Sequence, residues 1–284
     1  MSVYPVTPHD RWRAELHLRF ARHKMRTVLI ENRHSGPLLV QKALYPEGEQ
    51  ICHVVIVHPP GGIAGGDELN VEIDLEANSS AVVTTPAAAK WYKAPHQKCR
   101  QKTSIRLANG STLDWLPQEN IFYNATHAVS TFTLQIESGA TAIGWEVGLL
   151  GRQESGEHWA EGSLRFVSSI ERTGGQPLWV ERLLLEASAS LRTACQGLYG
   201  YNAFGTLWAI GPDCTAAVAE ELAPDLPFEN ELRAGVTALT DGILLIRGLA
   251  YDVERLRRMM MDCWVRLRPL VHGLPSQRLR LWET

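Results

Sequence analysis

"LEANSSAVVTTP" (Leu75–Pro86), "LANGSTLDWLPQ" (Leu107–Gln118) and "IESGATAIGWEV" (Ile136–Val147) align without gaps. Each is the end of one strand, a turn of small residues, then a return strand. The starts lie 32 and then 29 residues apart, a spacing at which units too small to close their own cores stack on one another. Three unrelated hairpins could share the same turn chemistry, because Asn-Gly and Ser-Gly are common turn pairs. Register holds on both sides of the turn, and that favours stacking. The expected fold is mainly β: a stacked, β-helix-like single domain with a few helices.

Strand signals continue outward from the repeats. Period-two alternation puts Leu16, Leu18 and Phe20 on one face, then Leu69, Val71, Ile73 and Leu75, then Phe132, Leu134 and Ile136. Helix appears late. "DVERLRRMMMDCWVRLRPL" spaces Val253, Leu256, Met260, Cys263, Trp264 and Leu267 for one helical face, with Asp252 as N-cap. The Met run reads as core packing. A shorter helix is expected around Cys214 to Leu222, ending before Pro224. No low-complexity linker divides the chain, so residues 1–284 read as one domain, β-rich over 12–250 with a helix over about 252–268.

Composition excludes several classes. With 284 residues, 45% hydrophobic, 21% charged and a formal charge of −3, the chain has no electrostatic footprint for nucleic acid or an anionic membrane. The basic residues between Arg11 and Arg33 are interleaved with acids and apolar residues, as on a solvated strand face. The N-terminus carries no apolar signal core, and no run approaches the ~18 residues of a membrane span. Five widely spaced cysteines without a CxxC pair fit reduced thiols in a cytoplasm.

"HPPGGIAGGDELN" (His58–Asn70) has the glycine spacing of a phosphate loop, but Asp67 stands where a P-loop needs lysine. A carboxylate there repels phosphate, so nucleotide binding is rejected. Two readings of the loop remain: a strained hairpin connection between "HVVIV" and "LNVEIDL", or an acid held on a rigid turn for a cation or partner. Other polar groups lie beside apolar strands: Thr84, Thr85, Lys90 and Tyr92; Asp114, Gln118 and Glu119; Glu146, Arg152, Glu154, Glu157 and His158. Carboxylates with hydroxyls suit a weakly held hard or borderline cation. They equally suit the paired acids of a carbohydrate-active enzyme on a stacked β fold, drawn from Asp67, Glu119, Glu146 and Glu157. His96-x-x-Cys99 and Cys52-His53 fall short of a four-ligand zinc site, and neither GxSxG nor HExxH occurs.

Four long motifs in series decide more than any one does. "HPPGGIAGGD", "TTPAAAKWYK", "LDWLPQENIF" and "GWEVGLLGRQESGE", flanked by "GPLLVQKALYPEG" and "LPSQRLRLW", resemble the urease accessory protein UreD (UreH) family across nearly the whole chain. The residues carrying that signature are His58, Pro59, Pro60, Gly61, Gly62, Gly65, Gly66, Lys90, Trp115, Pro117, Arg152, Gly156 and Glu157. Two departures stand out. "LDWLP" replaces the expected "LEWLP" and keeps the acid; "AAAKWY" replaces "AATKFY" and loses a hydroxyl at Ala89. The resemblance implies a nickel-insertion chaperone that is not an enzyme. Such a protein bridges apo-urease structural subunits and UreF, reaches the GTPase UreG through UreF, and passes transient Ni²⁺ along an internal tunnel, with no tightly bound cofactor. Aligned repeats put Thr85, Pro117 and Glu146 at equivalent positions, with Gln118 and Glu119 following Pro117. The expected path is therefore a wet column of Thr85, Glu119 and Glu146, with Asp67 near one mouth.

Overall fold

The turn in each repeat is a corner between two sheets. The structure, a computed structural model, describes residues 12–239, 242–276, 278–279 and 282. Strands β1 (Arg13–His23) and β2 (Arg26–Ser35) form an antiparallel hairpin, followed by β3 (Leu39–Val40). Three coils of three strands succeed it. The first is β4 (Cys52–Val57), β5 (Gly62–Ile63) and β6 (Glu68–Leu75). The second is β7 (Ser80–Thr84), β8 (Ala89–Trp91) and β9 (Cys99–Leu107); the third is β10 (Thr112–Leu116), β11 (Asn120–Phe122) and β12 (Thr126–Ile136). Then come β13 (Thr141–Leu150), β14 (Gly162–Arg172) and β15 (Pro177–Glu186). The chain ends with β16 (Ala203–Ile210), α1 (Ala216–Leu222), β17 (Leu232–Leu239), β18 (Ile243–Ala250) and α2 (Val253–His272).

Equivalent strands stack in parallel. One sheet runs β15-β14-β12-β9-β6-β1-β2; the other runs β17-β18-β16-β13-β10-β7-β4-β3, with β5, β8 and β11 paired beside it. Leu75 pairs with Leu107 and Leu107 with Ile136 before the corner; Ser80 pairs with Thr112 and Thr112 with Thr141 after it. The repeat alignment is thus the physical register on both sides. At the corner itself Asn78, Gly110 and Gly139 all take left-handed φ (62°, 69° and 81°), and the Asn78 amide packs over Gly110 where a Cβ would intrude. The hairpin reading fails: each turn joins strands of different sheets. The loop from His58 to Asp67 is likewise no hairpin, since β4 and β6 lie in different sheets and β5 pairs with β8 between them.

Two cores lie on either side of the eleven-stranded sheet. Between the sheets pack Leu16, Leu18, Phe20, Val54, Leu113, Trp115, Phe132 and Leu134. On the outer face Ile143, Trp145, Val147 and Leu149 of β13 meet Met260, Trp264 and Leu267 of α2. The Met run is core, as its spacing predicts. Asp252 caps α2 by accepting from the Glu254 N–H at 2.8 Å, and Thr215 caps α1. The long helix outruns the expected end at residue 268: Pro269 sits inside its last turn, and Gly273 at φ 65° stops it.

The outer face of the seven-stranded sheet is a charge ladder. Glu68 meets Arg13 and Arg100, Asp74 meets Arg106, and Glu76 meets Arg19. That is the solvated strand face expected of the basic stretch from Arg11 to Arg33, although Arg11 lies outside the described residues. No helix among the described residues is long and apolar enough to cross a membrane.

Candidate functional site

Inward-facing residues are mostly apolar, but one seam between the sheets is not. Alternation along β13 sends Glu146 inward while Trp145 and Val147 face α2. Two chambers open along the stacking direction. The smaller, about 140 Å³, is lined by His58, Thr85, Gln101, Thr103, Trp115, Pro117, Gln118 and the Pro86–Ala89 segment. The larger, about 440 Å³, lies between β15 and β17 and is walled by Phe166, Leu183, Phe204 and Leu249. Both are lined by Asn120, Ser130 and Glu146, which form the waist where they meet.

The seam carries oxygen donors from both sheets. The Ser168 hydroxyl donates to Glu146 at 2.6 Å. Glu181 accepts from Arg247 Nε at 2.9 Å and from the Thr206 hydroxyl at 3.0 Å. Burial pushes the Glu146 carboxyl above the usual range; Ser168 opposes the rise and the nearby Glu181 adds to it. Trp115 is 5% exposed, and its indole N–H has no partner among the described residues. That unpaired donor borders the smaller chamber, where a water would satisfy it. At its far mouth His58 is held below the usual imidazole pKa by burial, with Asp67 opposing, which keeps it neutral.

The expected column is half assembled. Thr85 and Glu146 line one chamber, with Pro117 and Gln118 between them. Glu119 does not join them: it lies on the α2 side, paired with Arg257 at 3.2 Å. Asp67 is buried and lines neither chamber. Its carboxylate accepts from the Ala64 N–H at 2.9 Å and the Trp12 N–H at 3.2 Å, so it ties the glycine loop to the start of β1. The loop carboxylate is thus a structural tie, which pairs one backbone donor of its own loop and one just before β1.

The other signature residues build corners. A Cβ on Gly62 would strike the Tyr92 ring, and one on Gly65 would crowd Ala94. The Pro117 carbonyl accepts from Trp145 Nε1 at 2.7 Å. Arg152 grips Glu157 through two bonds of 3.1 and 3.0 Å and lies over the Tyr123 ring; Gly156 closes that turn at φ 67°. The four carboxylates offered for glycoside hydrolysis therefore go to four different places and form no acid–base pair.

Sequence reasoning missed a buried ionic cluster that holds α2 down. Arg268, fully buried, bonds Glu47 through both terminal nitrogens and Asp114 through Nε at 2.9 Å. Trp264 Nε1 donates to Asp114 at 2.8 Å, His272 lies 3.4 Å from it, and His53 meets Glu47 at 2.7 Å. The available signal was an arginine four residues after Trp264, on the apolar face of the helix. Its partners, on β10 and in the loop before β4, were not readable from spacing.

Four of the five cysteines are buried. Burial pushes the thiols of Cys99, Cys214 and Cys263 up to about 12, and raises Cys52. Among the described residues no three His, Cys, Asp or Glu side chains gather into a metal cluster.

Fold and site together define a β-solenoid scaffold with two adjoining chambers between its sheets and oxygen-bearing side chains where they meet. The family model described as UreD urease accessory protein matches residues 13–283, and the chain belongs to that family. It is 48% identical to the urease accessory protein UreD of Ralstonia nicotianae over 99% of this chain and 98% of the relative. Against that of Cupriavidus necator it is 49% identical over 96% and 95%, and against that of Bordetella pertussis 43% over 97% and 98%.

Proposed function

We propose that this urease accessory protein delivers Ni²⁺ to apo-urease through the passage between its sheets. It bridges the urease structural subunits and UreF, receives the ion from the GTPase UreG by way of UreF, and catalyses no reaction of its own. It works in the cytoplasm and takes neither nucleic acid nor a membrane as partner. The observation that carries this reading is the waist at Glu146, where one carboxylate, two hydroxyl or amide side chains and two chambers meet.

A route for a divalent cation needs donors that bind and release. Nickel stands high in the series of affinities for nitrogen and sulfur sites, so a His/Cys cage would trap it. This passage offers spaced carboxylate, hydroxyl and amide oxygens, a single neutral imidazole at one mouth, and no thiolate. Water in the chambers keeps the ion hydrated between stations.

Glu146→Ala tests the reading. Co-expressed with urease subunits, UreF and UreG, the variant is expected to co-purify with its partners while the urease it matures holds several-fold less nickel. Glu146→Asp restores part of the loading. Full nickel content with Glu146→Ala overturns transport through the passage and leaves a scaffold role.

A further inference from the structure

The seam between the sheets contains a cation of its own. Glu146, Thr206 and Arg247 are side-by-side neighbours on β13, β16 and β18, because Glu146 pairs with Thr206 and Thr206 with Arg247. Facing them, Ser168 and Glu181 are paired neighbours on β14 and β15. The contacts across the gap are Ser168 to Glu146, and Thr206 and Arg247 to Glu181. The guanidinium thus takes the carboxylate that a divalent ion leaving the waist would meet next. All five side chains line the larger chamber.

We propose that Arg247 is a built-in plug of the passage: in the free protein its guanidinium occupies the Glu181 station and keeps divalent cations off it. This rests on the transport reading above and adds a regulatory residue to it. An arginine cannot lose its charge in this setting, so the plug is removed only by moving it. There is room to move. The neighbour of Arg247 on β17 is Gly235, beside which a Cβ would meet nothing within 4 Å, and the Arg247 side chain is already 47% exposed. A side-chain rotation toward that open edge frees Glu181 without any shift of backbone. With the plug out, Glu146, Glu181, Ser168 and Thr206 present four oxygens from four strands, a donor set suited to a hydrated divalent ion held weakly. With it in, the Arg247–Glu181 ion pair neutralises the outer carboxylate, and the passage holds no cation at rest.

The test is equilibrium dialysis of the full-length protein against Ni²⁺ alone. Arg247→Gln is expected to bind Ni²⁺ at least about tenfold more tightly than wild type. Arg247→Lys keeps the charge and stays near the wild-type value, which separates plugging from packing. The gain disappears in Arg247→Gln/Glu181→Gln and falls in Arg247→Gln/Glu146→Gln. Glu181→Gln alone shows no gain, because it removes the plug's anchor and the station together. Arg247→Gln binding within twofold of wild type overturns the plug, as does a gain that survives Glu181→Gln. The two readings separate cleanly. Tighter binding by Arg247→Gln alongside normal nickel loading of urease by Glu146→Ala keeps the plug and removes the transport; the opposite pair of results does the reverse.

Discussion

Asp67 shows how far a single residue can be read. Standing where a P-loop needs lysine, it argues against phosphate, and that argument needs only its charge. Its burial is not legible in the same way, because burial depends on which backbone donors the fold leaves unpaired. Asp67→Ala strands the Ala64 and Trp12 N–H groups, and is expected to destabilise by about 2–4 kcal/mol, measured as a lower midpoint in urea. Asp114 makes a second case. Burial alone would raise its pKa, but His272, Arg268 and the Trp264 N–H together hold it below the usual carboxylate value, and Glu47 is lowered in the same cluster against the same burial. A depressed folded pKa adds stability that is fully present above the unfolded values, near 4, and is lost as pH falls through the folded ones. Wild type should therefore lose Tm steeply below about pH 4. Asp114→Asn leaves Arg268 short of a partner, so it starts about 3–5 kcal/mol lower and shows a shallower acid slope. An unchanged slope in Asp114→Asn would place the acid-sensitive groups elsewhere.

Elements were legible where alternation is strong. The repeats gave strand register on both sides of each corner, since identical turn lengths force equivalent residues to stack. The middle strand of each coil was not legible: β5, β8 and β11 are two or three residues long, too short to show a period. On β13 nearly every residue is buried, because α2 covers its outer face, and alternation vanishes for the same reason. Glycines at the corners separate backbone strain from crowding. Gly162 opens β14 at φ 118°, and a Cβ there would lie 2.3 Å from the Thr126 carbonyl oxygen of its paired strand. Gly175 at φ 87° has nothing within 4 Å. Gly175→Ala is expected to cost only the left-handed conformation, about 1–2 kcal/mol, whereas Gly162→Ala adds displacement of rigid backbone and costs about 3 kcal/mol or more. Equal losses in chemical denaturation would mean that β12 and β14 part more easily than their pairing indicates.

At the scale of the molecule, the two chambers exist because coils of unequal polarity stack: most inward positions close the core, while Thr85, Ser130, Glu146 and Ser168 line open space. Family motifs made the scaffold legible, but the route depended on which way each side chain faces, and that is settled only by register across the whole solenoid. Ser130 offers a test that leaves charge alone. It points inward from β12 at the waist and lines both chambers, while its neighbour Val129 faces outward. Ser130→Phe sets an aromatic ring in the waist and removes one small hydroxyl, without altering the outer surfaces. The expected outcome is a variant that folds, co-purifies with urease subunits and UreF, and yields urease poor in nickel and activity. Val129→Phe, one residue away on the opposite face, leaves loading unchanged. If Ser130→Phe matures urease as wild type does, the ion travels outside the solenoid, and the chambers are a by-product of stacking; if only the inward ring blocks loading, the inside of the fold is the conduit.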